Sequence, residues 1–124
     1  MAKHILVVED EAPLRKALCD MLVKHGYRVS EAQDGEVGIA AAVDNHPDLI
    51  LLDLLMPRLD GLSMLQRLRQ ESWGKDLPVI VLTNVNEVEK VQEAVVNKAF
   101  DFLVKTDWTL EQIAEKVREK IGNP

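Results

Sequence analysis

The chain has 124 residues, 47% of them hydrophobic, with a formal net charge of −6 at pH 7 and a pI of about 5.0. This suits one globular domain with a real core, and argues against a disordered chain or a basic nucleic-acid-binding face. The single cysteine, Cys19, excludes an internal disulfide and fits a reducing cytosol. No apolar stretch reaches the roughly 18 residues of a membrane span, and no signal peptide is read at the N-terminus, so a cytoplasmic protein is expected.

His4-Ile5-Leu6-Val7-Val8 reads as a first strand and runs into three acids, Glu9, Asp10 and Glu11. Pro13 suits a helix's first turn, and Leu14, Ala17, Leu18, Met21 and Leu22 recur at helical spacing up to a Gly26 cap. Tyr27 to Glu31 alternates apolar and polar residues, as an edge strand does. After the Asp34-Gly35 turn, Val37, Ala40 and Ala41 lie on one face of a short second helix. Leu49-Ile50-Leu51-Leu52 is a continuous apolar run between Pro47-Asp48 and Asp53, the signature of a strand buried on both faces of a parallel sheet. Leu54-Leu55-Met56-Pro57 reads as the loop leaving it, and Asp60 caps a third helix that turns Leu62, Leu65 and Leu68 inward.

Trp73 to Asp76 is a loop, and Leu77 to Leu82 is a fourth strand with its proline near the start. Thr83 and Asn84 follow. Asn86 with Glu89 starts a helix over about 86–95, with Val88, Val91 and Val95 on one face. Phe100 to Val104 is a fifth strand ending on Lys105. Thr109 with Gln112 has capping-box spacing and opens a last helix with Leu110, Ile113, Val117 and Ile121 inward. Five strand–helix repeats with short connections predict an α/β fold, a parallel sheet covered by helices on both faces. No composition shift marks a second domain, so residues 1–124 read as one unit.

In such a sheet the strand ends converge on one edge. They bring together Glu9, Asp10 and Glu11, Asp53, Thr83 and Lys105. Clustered carboxylates repel one another unless a cation joins them, and oxygen-only ligands suit a hard cation such as Mg²⁺. A lysine can hold a second anionic group, and a carboxylate can itself be a nucleophile. Acids, Mg²⁺, lysine and hydroxyl together describe a phosphoryl site.

The chain resembles the receiver domain of two-component response regulators over essentially its whole length. The resemblance rests on the acid pair after strand 1, D-x-x-M-P-x-x-D-G at 53–61, Thr83 after strand 4 and Lys105 after strand 5. It implies a flavodoxin-like, doubly wound (βα)5 sandwich with strand order 2-1-3-4-5. It implies Asp53 as phosphoacceptor, with Glu9, Asp10, Asp53 and the backbone carbonyl of Leu55 as Mg²⁺ ligands. Lys105 would hold a phosphoryl oxygen, Thr83 would move to bond another, and Phe102 would rotate inward with it. The implied donor is a histidine kinase or histidine phosphotransfer protein. The implied output is a change in the surface of the 86–95 helix, strand 5 and the last helix. That surface is read by a downstream effector, by an output domain missing from this sequence, or through a phosphorylation-dependent dimer. The chain is then either a stand-alone receiver or a piece of a longer protein.

Three positions depart from the family pattern: Thr106 where proline is usual, Asn84 where a small residue is usual, and Lys98 where glycine is expected. Without proline, a trans bond is expected at Lys105-Thr106. His4, His25 and His46 show no ligand spacing and read as structural or exposed. Cys19 reads as a packed thiol, and Trp73 and Trp108 as coverings of core edges or partner contacts.

Other function classes on this fold lack their residues. An aspartyl-intermediate phosphatase or phosphotransferase needs a second acid two residues past the nucleophile, where Leu55 stands. A nucleotide or flavin binder needs a glycine-rich loop after strand 1, where acids stand instead. A phosphorylation-independent interaction module would have no use for the intact acid–lysine set.

Overall fold

Why the apolar runs alternate with helical spacing becomes visible in a computed structural model, which describes residues 2–53, 60–83, 101–105 and 108–124. The described elements are β1 (His4–Val8), α1 (Ala12–Lys24), β2 (Arg28–Ala32), α2 (Gly35–Asn45), β3 (Leu49–Asp53), α3 (Gly61–Gln70), β4 (Val79–Thr83), β5 (Asp101–Val104) and α4 (Leu110–Ile121). All strand pairings are parallel, in the order β2-β1-β3-β4-β5. The doubly wound α/β fold expected from the sequence is therefore present. The 86–95 helix, Asn84, Lys98, Thr106 and the Lys105-Thr106 bond lie outside the described residues.

Successive side chains of a strand point to opposite faces, so each buried strand feeds two cores. Ile5, Val7, Leu49, Leu51, Ile80, Leu82 and Leu103 meet Leu18 and Leu22 of α1 and Ile113 and Val117 of α4. Leu6, Val8, Ile50, Leu52, Val79 and Val81 meet Ala42 of α2 and Met64, Leu65 and Leu68 of α3. β1 and β3 are buried along their whole length, which is why their sequences are apolar without alternation. β2 lies at the sheet edge and is largely exposed or half-buried, matching its alternating sequence.

Cap chemistry sets the helix ends. Asp34 accepts from the Val37 amide, Asp60 from the Ser63 amide, and Thr109 and Gln112 form the full capping box. Gly26 lies one residue past the α1 cap, which is His25, and takes the positive φ of 99° that closes the helix.

Two readings of the sequence shift. The fourth strand starts at Val79, because Pro78 has no N–H to give the ladder; its carbonyl instead accepts from the Ile50 amide at 3.0 Å. The inward face of α2 is Gly35, Gly38 and Ala42, while Val37 and Ala40 are exposed. Helix α2 is small and apolar on nearly every side, so its period carried little information. The close approach decides instead: a Cβ on Gly38 would sit 2.9 Å from Met64 Sδ and 3.2 Å from Val8 Cγ1.

A similar contact yields a stability prediction. A Cβ on Gly74 would collide with the backbone carbonyl of Leu68, while the Gly74 carbonyl accepts from Arg69 Nη1 at 2.7 Å. Gly74→Ala is expected to lower stability by about 1–3 kcal/mol, because backbone rather than a flexible side chain must move. Urea denaturation checks it; an unchanged midpoint contradicts the packing.

Candidate functional site

The site is built by register. Val8 pairs with Leu52, Asp53 with Leu82, and Thr83 with Val104. Glu9, Asp53 and Lys105 therefore emerge along one edge of the sheet, from β1, β3 and β5, with β4 between the last two. They also continue the odd-numbered parities of Val7, Leu51 and Leu103, which face α1 and α4, so the three side chains turn to the same side.

The distances confirm this. Lys105 Nζ lies 2.8 Å from Glu9 Oε1, 3.3 Å from Asp53 Oδ2 and 3.6 Å from Glu11 Oε1. Glu9 is fully buried and Asp53 is 2% exposed, while Asp10 reaches solvent. Carboxylate oxygens of Glu9, Asp10 and Asp53 all lie within 4.8 Å of one another. The sequence-predicted acids and lysine are thus brought together. The backbone of Thr83 takes its place at the end of β4; its side chain, that of Phe102, and all of Leu55 lie outside the described residues.

Crowding shapes the electrostatics. Burial pushes the Asp53 carboxyl up to about 9, with the adjacent Glu9 carboxylate adding to the rise and Lys105 pulling against it. Burial also draws on the Lys105 ammonium, but contact with Glu9, Asp53 and Glu11 outweighs it and holds the pKa above its ordinary value. Both Glu9 carboxylate oxygens are buried; Oε1 lies 2.8 Å from the Lys105 ammonium, and Oε2 has no hydrogen bond among the described residues. A buried acceptor left in this way is costly unless something else engages it. Three carboxylates, one fully buried and one open to solvent, fit a hard, oxygen-seeking cation.

One anchor of this site was not found from the sequence. Arg15 Nη1 donates to the Glu9 carbonyl at 2.8 Å and its Nε to Glu31 at 3.0 Å. Its position one turn into the helix after the acids was the available signal, but a charged helix residue near a terminus is usually just solvated. The remaining singled-out residues are structural. His4 Nε2 meets Ser30 Oγ at 2.6 Å, and burial lowers its pKa. His25 pairs with Glu111 at 3.0 Å, and His46 stacks on Trp73 at 4.5 Å. Cys19 is a buried thiol, pushed up to about 11 by burial. Trp73 and Trp108 cover the edges of the two cores.

Comparison with known proteins bears on what this arrangement is. The chain is 38% identical over 105 residues to the phosphate regulon transcriptional regulatory protein PhoB of Escherichia coli, across 85% of this chain and 46% of PhoB. It is 39% identical over 118 residues to the response regulator MprA of Mycobacterium sp. (strain KMS), across 95% of this chain and 50% of MprA. The chain thus spans about half the length of these curated relatives. Among solved structures, chemotaxis protein CheY4 of Vibrio cholerae superposes with a TM-score of 0.89 at 28% identity, covering 97% of this chain and 99% of that one. The signal receiver domain of a signal transduction histidine kinase from Syntrophus aciditrophicus superposes with a TM-score of 0.87 at 28% identity, covering 97% and 90%. The family model described as response regulator receiver domain matches residues 5–118, so the edge at which Glu9, Asp10, Asp53 and Lys105 meet is that of a chain belonging to the response regulator receiver family.

Proposed function

We propose that this chain is a phosphorylation switch that accepts a phosphoryl group on Asp53, with residues 1–124 acting as one receiver domain in the cytoplasm. The observation that carries the proposal is the position of Asp53, buried at the end of the central strand β3 with Glu9 on one side and Lys105 3.3 Å away. The donor is a histidine kinase or histidine phosphotransfer protein. In the transfer an Asp53 oxygen forms the new bond to phosphorus as the donor's P–N bond breaks, and the donor imidazole keeps its electron pair and takes up a proton.

Mg²⁺ fits the described acids: Glu9, Asp10 and Asp53 would hold it through their side chains, and the family resemblance adds the Leu55 carbonyl. When bound, it neutralises the carboxylates and the charge on the transferring group. The protein's own groups do the rest. Burial beside Glu9 disfavours the ionised Asp53 carboxylate, so Asp53 needs added positive charge to act as a nucleophile. Lys105 supplies part of that charge and is placed to hold a phosphoryl oxygen. Glu9 keeps Lys105 at the site in the meantime.

The family resemblance assigns the readout to Thr83 and Phe102, which would reposition together and alter the surface of the 86–95 helix, β5 and α4. A downstream effector, an attached output domain or a second copy of the chain reads that surface. The phosphotransfer is self-catalysed, with no separate substrate turned over.

The test is direct. Incubation with Mg²⁺ and a small acyl phosphate should add one phosphoryl group by intact mass, and Asp53→Asn should add none. Uptake by the Asp53→Asn protein, or none by the parent, overturns the assignment.

A further inference from the structure

The acid loop between β1 and α1 must hold two carboxylates in place, yet the helix it leads into has little to fix it. Its N-cap residue, Glu11, makes no side-chain capping bond. The loop is instead held by a side chain at Glu9, while the first helical backbone bond holds Glu11. The Arg15 side chain donates from Nη1 to the carbonyl of Glu9 at 2.8 Å, and the Arg15 amide donates to the carbonyl of Glu11 at 2.8 Å. Asp10 lies between these two points. On the other side, the Glu9 amide donates to the Ala32 carbonyl of β2 at 3.0 Å, and Arg15 Nε donates to Glu31, the residue before it on β2, at 3.0 Å. Arg15 therefore ties the loop to the edge strand and closes a ring of bonds around Glu9.

The two side-chain contacts of Arg15 differ in kind. The ion pair with Glu31 is mostly wet on the Glu31 side, with exposures of 16% and 58%, and pairs of that type contribute little. The bond to the Glu9 carbonyl is part-buried and charge-assisted, and it acts on the backbone that carries a fully buried acid. A guanidinium can serve both partners at once because its donors are splayed in a rigid fork, whereas a lysine ammonium is a single point.

We propose that Arg15 is a positioning residue for the cation site: by clamping the Glu9–Glu11 loop it holds the Glu9 and Asp10 carboxylates in ligating geometry. The proposal rests on the reading of Glu9, Asp10 and Asp53 as an Mg²⁺ site. Residues that orient ligands from outside the coordination shell commonly change metal affinity by about tenfold or more.

The experiment titrates Mg²⁺ alone into the full chain by calorimetry, and follows amide exchange at residues 9–11 in Mg²⁺-free buffer. Arg15→Gln is expected to weaken Mg²⁺ binding by about tenfold and to speed exchange in the loop. Glu31→Gln, which leaves the Glu9 bond in place, should stay within about twofold of the parent, and Arg15→Lys should fall between. Raising Mg²⁺ should restore phosphoryl uptake by Arg15→Gln, since the defect lies in affinity. An Arg15→Gln protein that melts lower yet binds Mg²⁺ like the parent would show a merely structural arginine and overturn the proposal. If Arg15→Gln does not fold, Arg15→Lys decides: parental affinity there overturns it. A parent that binds no Mg²⁺ refutes the underlying site reading instead, which separates the two failures.

Discussion

Asp53→Asn is expected to abolish phosphoryl uptake and, in Mg²⁺-free buffer at neutral pH, to make the protein more stable than its parent. The loss of uptake follows from removing the attacking carboxylate; the gain in stability follows from the carboxyl's burial beside Glu9, which raises its pKa from 3.8 to about 9. The folded state binds this proton more tightly than the unfolded chain does. The group's contribution is therefore fully favourable below the unfolded pKa and is lost as pH rises from about 4 toward 9, at up to about 1.4 kcal/mol per pH unit. An amide of the same shape carries no such penalty. Over the roughly three pH units from 4 to 7 the gain should be about 2–4 kcal/mol, or roughly 5–20 °C in Tm for a domain of this size.

The advantage of Asp53→Asn should grow with pH across that window. It should shrink in saturating Mg²⁺, because a cation that binds the native carboxylates stabilises only the parent. Thermal melts at several pH values, with and without Mg²⁺, measure all of this. A pH-independent difference between the two proteins, or a destabilised variant, would contradict the charge crowding at β3.

Lys105→Met is expected to be among the most damaging single changes at the site. It removes the ammonium that lies 2.8 Å from Glu9 and 3.3 Å from Asp53, and leaves the fully buried Glu9 without its counter-charge. Breaking a buried ion pair from one side typically costs about 3–5 kcal/mol, and loss of about 3 kcal/mol is expected here at pH 7. Neutralising the stranded partner should recover much of it: the Glu9→Gln, Lys105→Met double variant should be more stable than Lys105→Met alone. Urea unfolding of the four proteins completes the cycle. Additive effects of the two substitutions would mean that the ammonium and Glu9 are not coupled. The raised pKa of Lys105 sets the upper boundary: its stabilisation is present at and below neutral pH and disappears only as pH climbs through that raised value.

Much of this was legible in the chain alone. The apolar runs at 5–8 and 49–52, the caps at Asp34, Asp60 and Thr109, and the acids and lysine at strand ends are local patterns, and local patterns suffice for element type and order. Because a parallel sheet sends every strand's carboxyl end to one edge, placing Glu9, Asp10, Asp53 and Lys105 together required only the strand count. Long-range packing decided what remained. Gly38, which no local pattern singled out, is an inward point of α2, where a Cβ would press on Met64 and Val8. Arg15 is polar and helical like many solvated residues, and only the fold shows that β2 passes within its reach and that the Glu9 carbonyl faces it. The charge state of Asp53 was likewise out of reach of sequence, since it depends on how completely water is excluded and on how near Glu9 and Lys105 come. Periodicity reports which residues are apolar; distances between elements remote in sequence are set by the tertiary packing of two cores against one sheet.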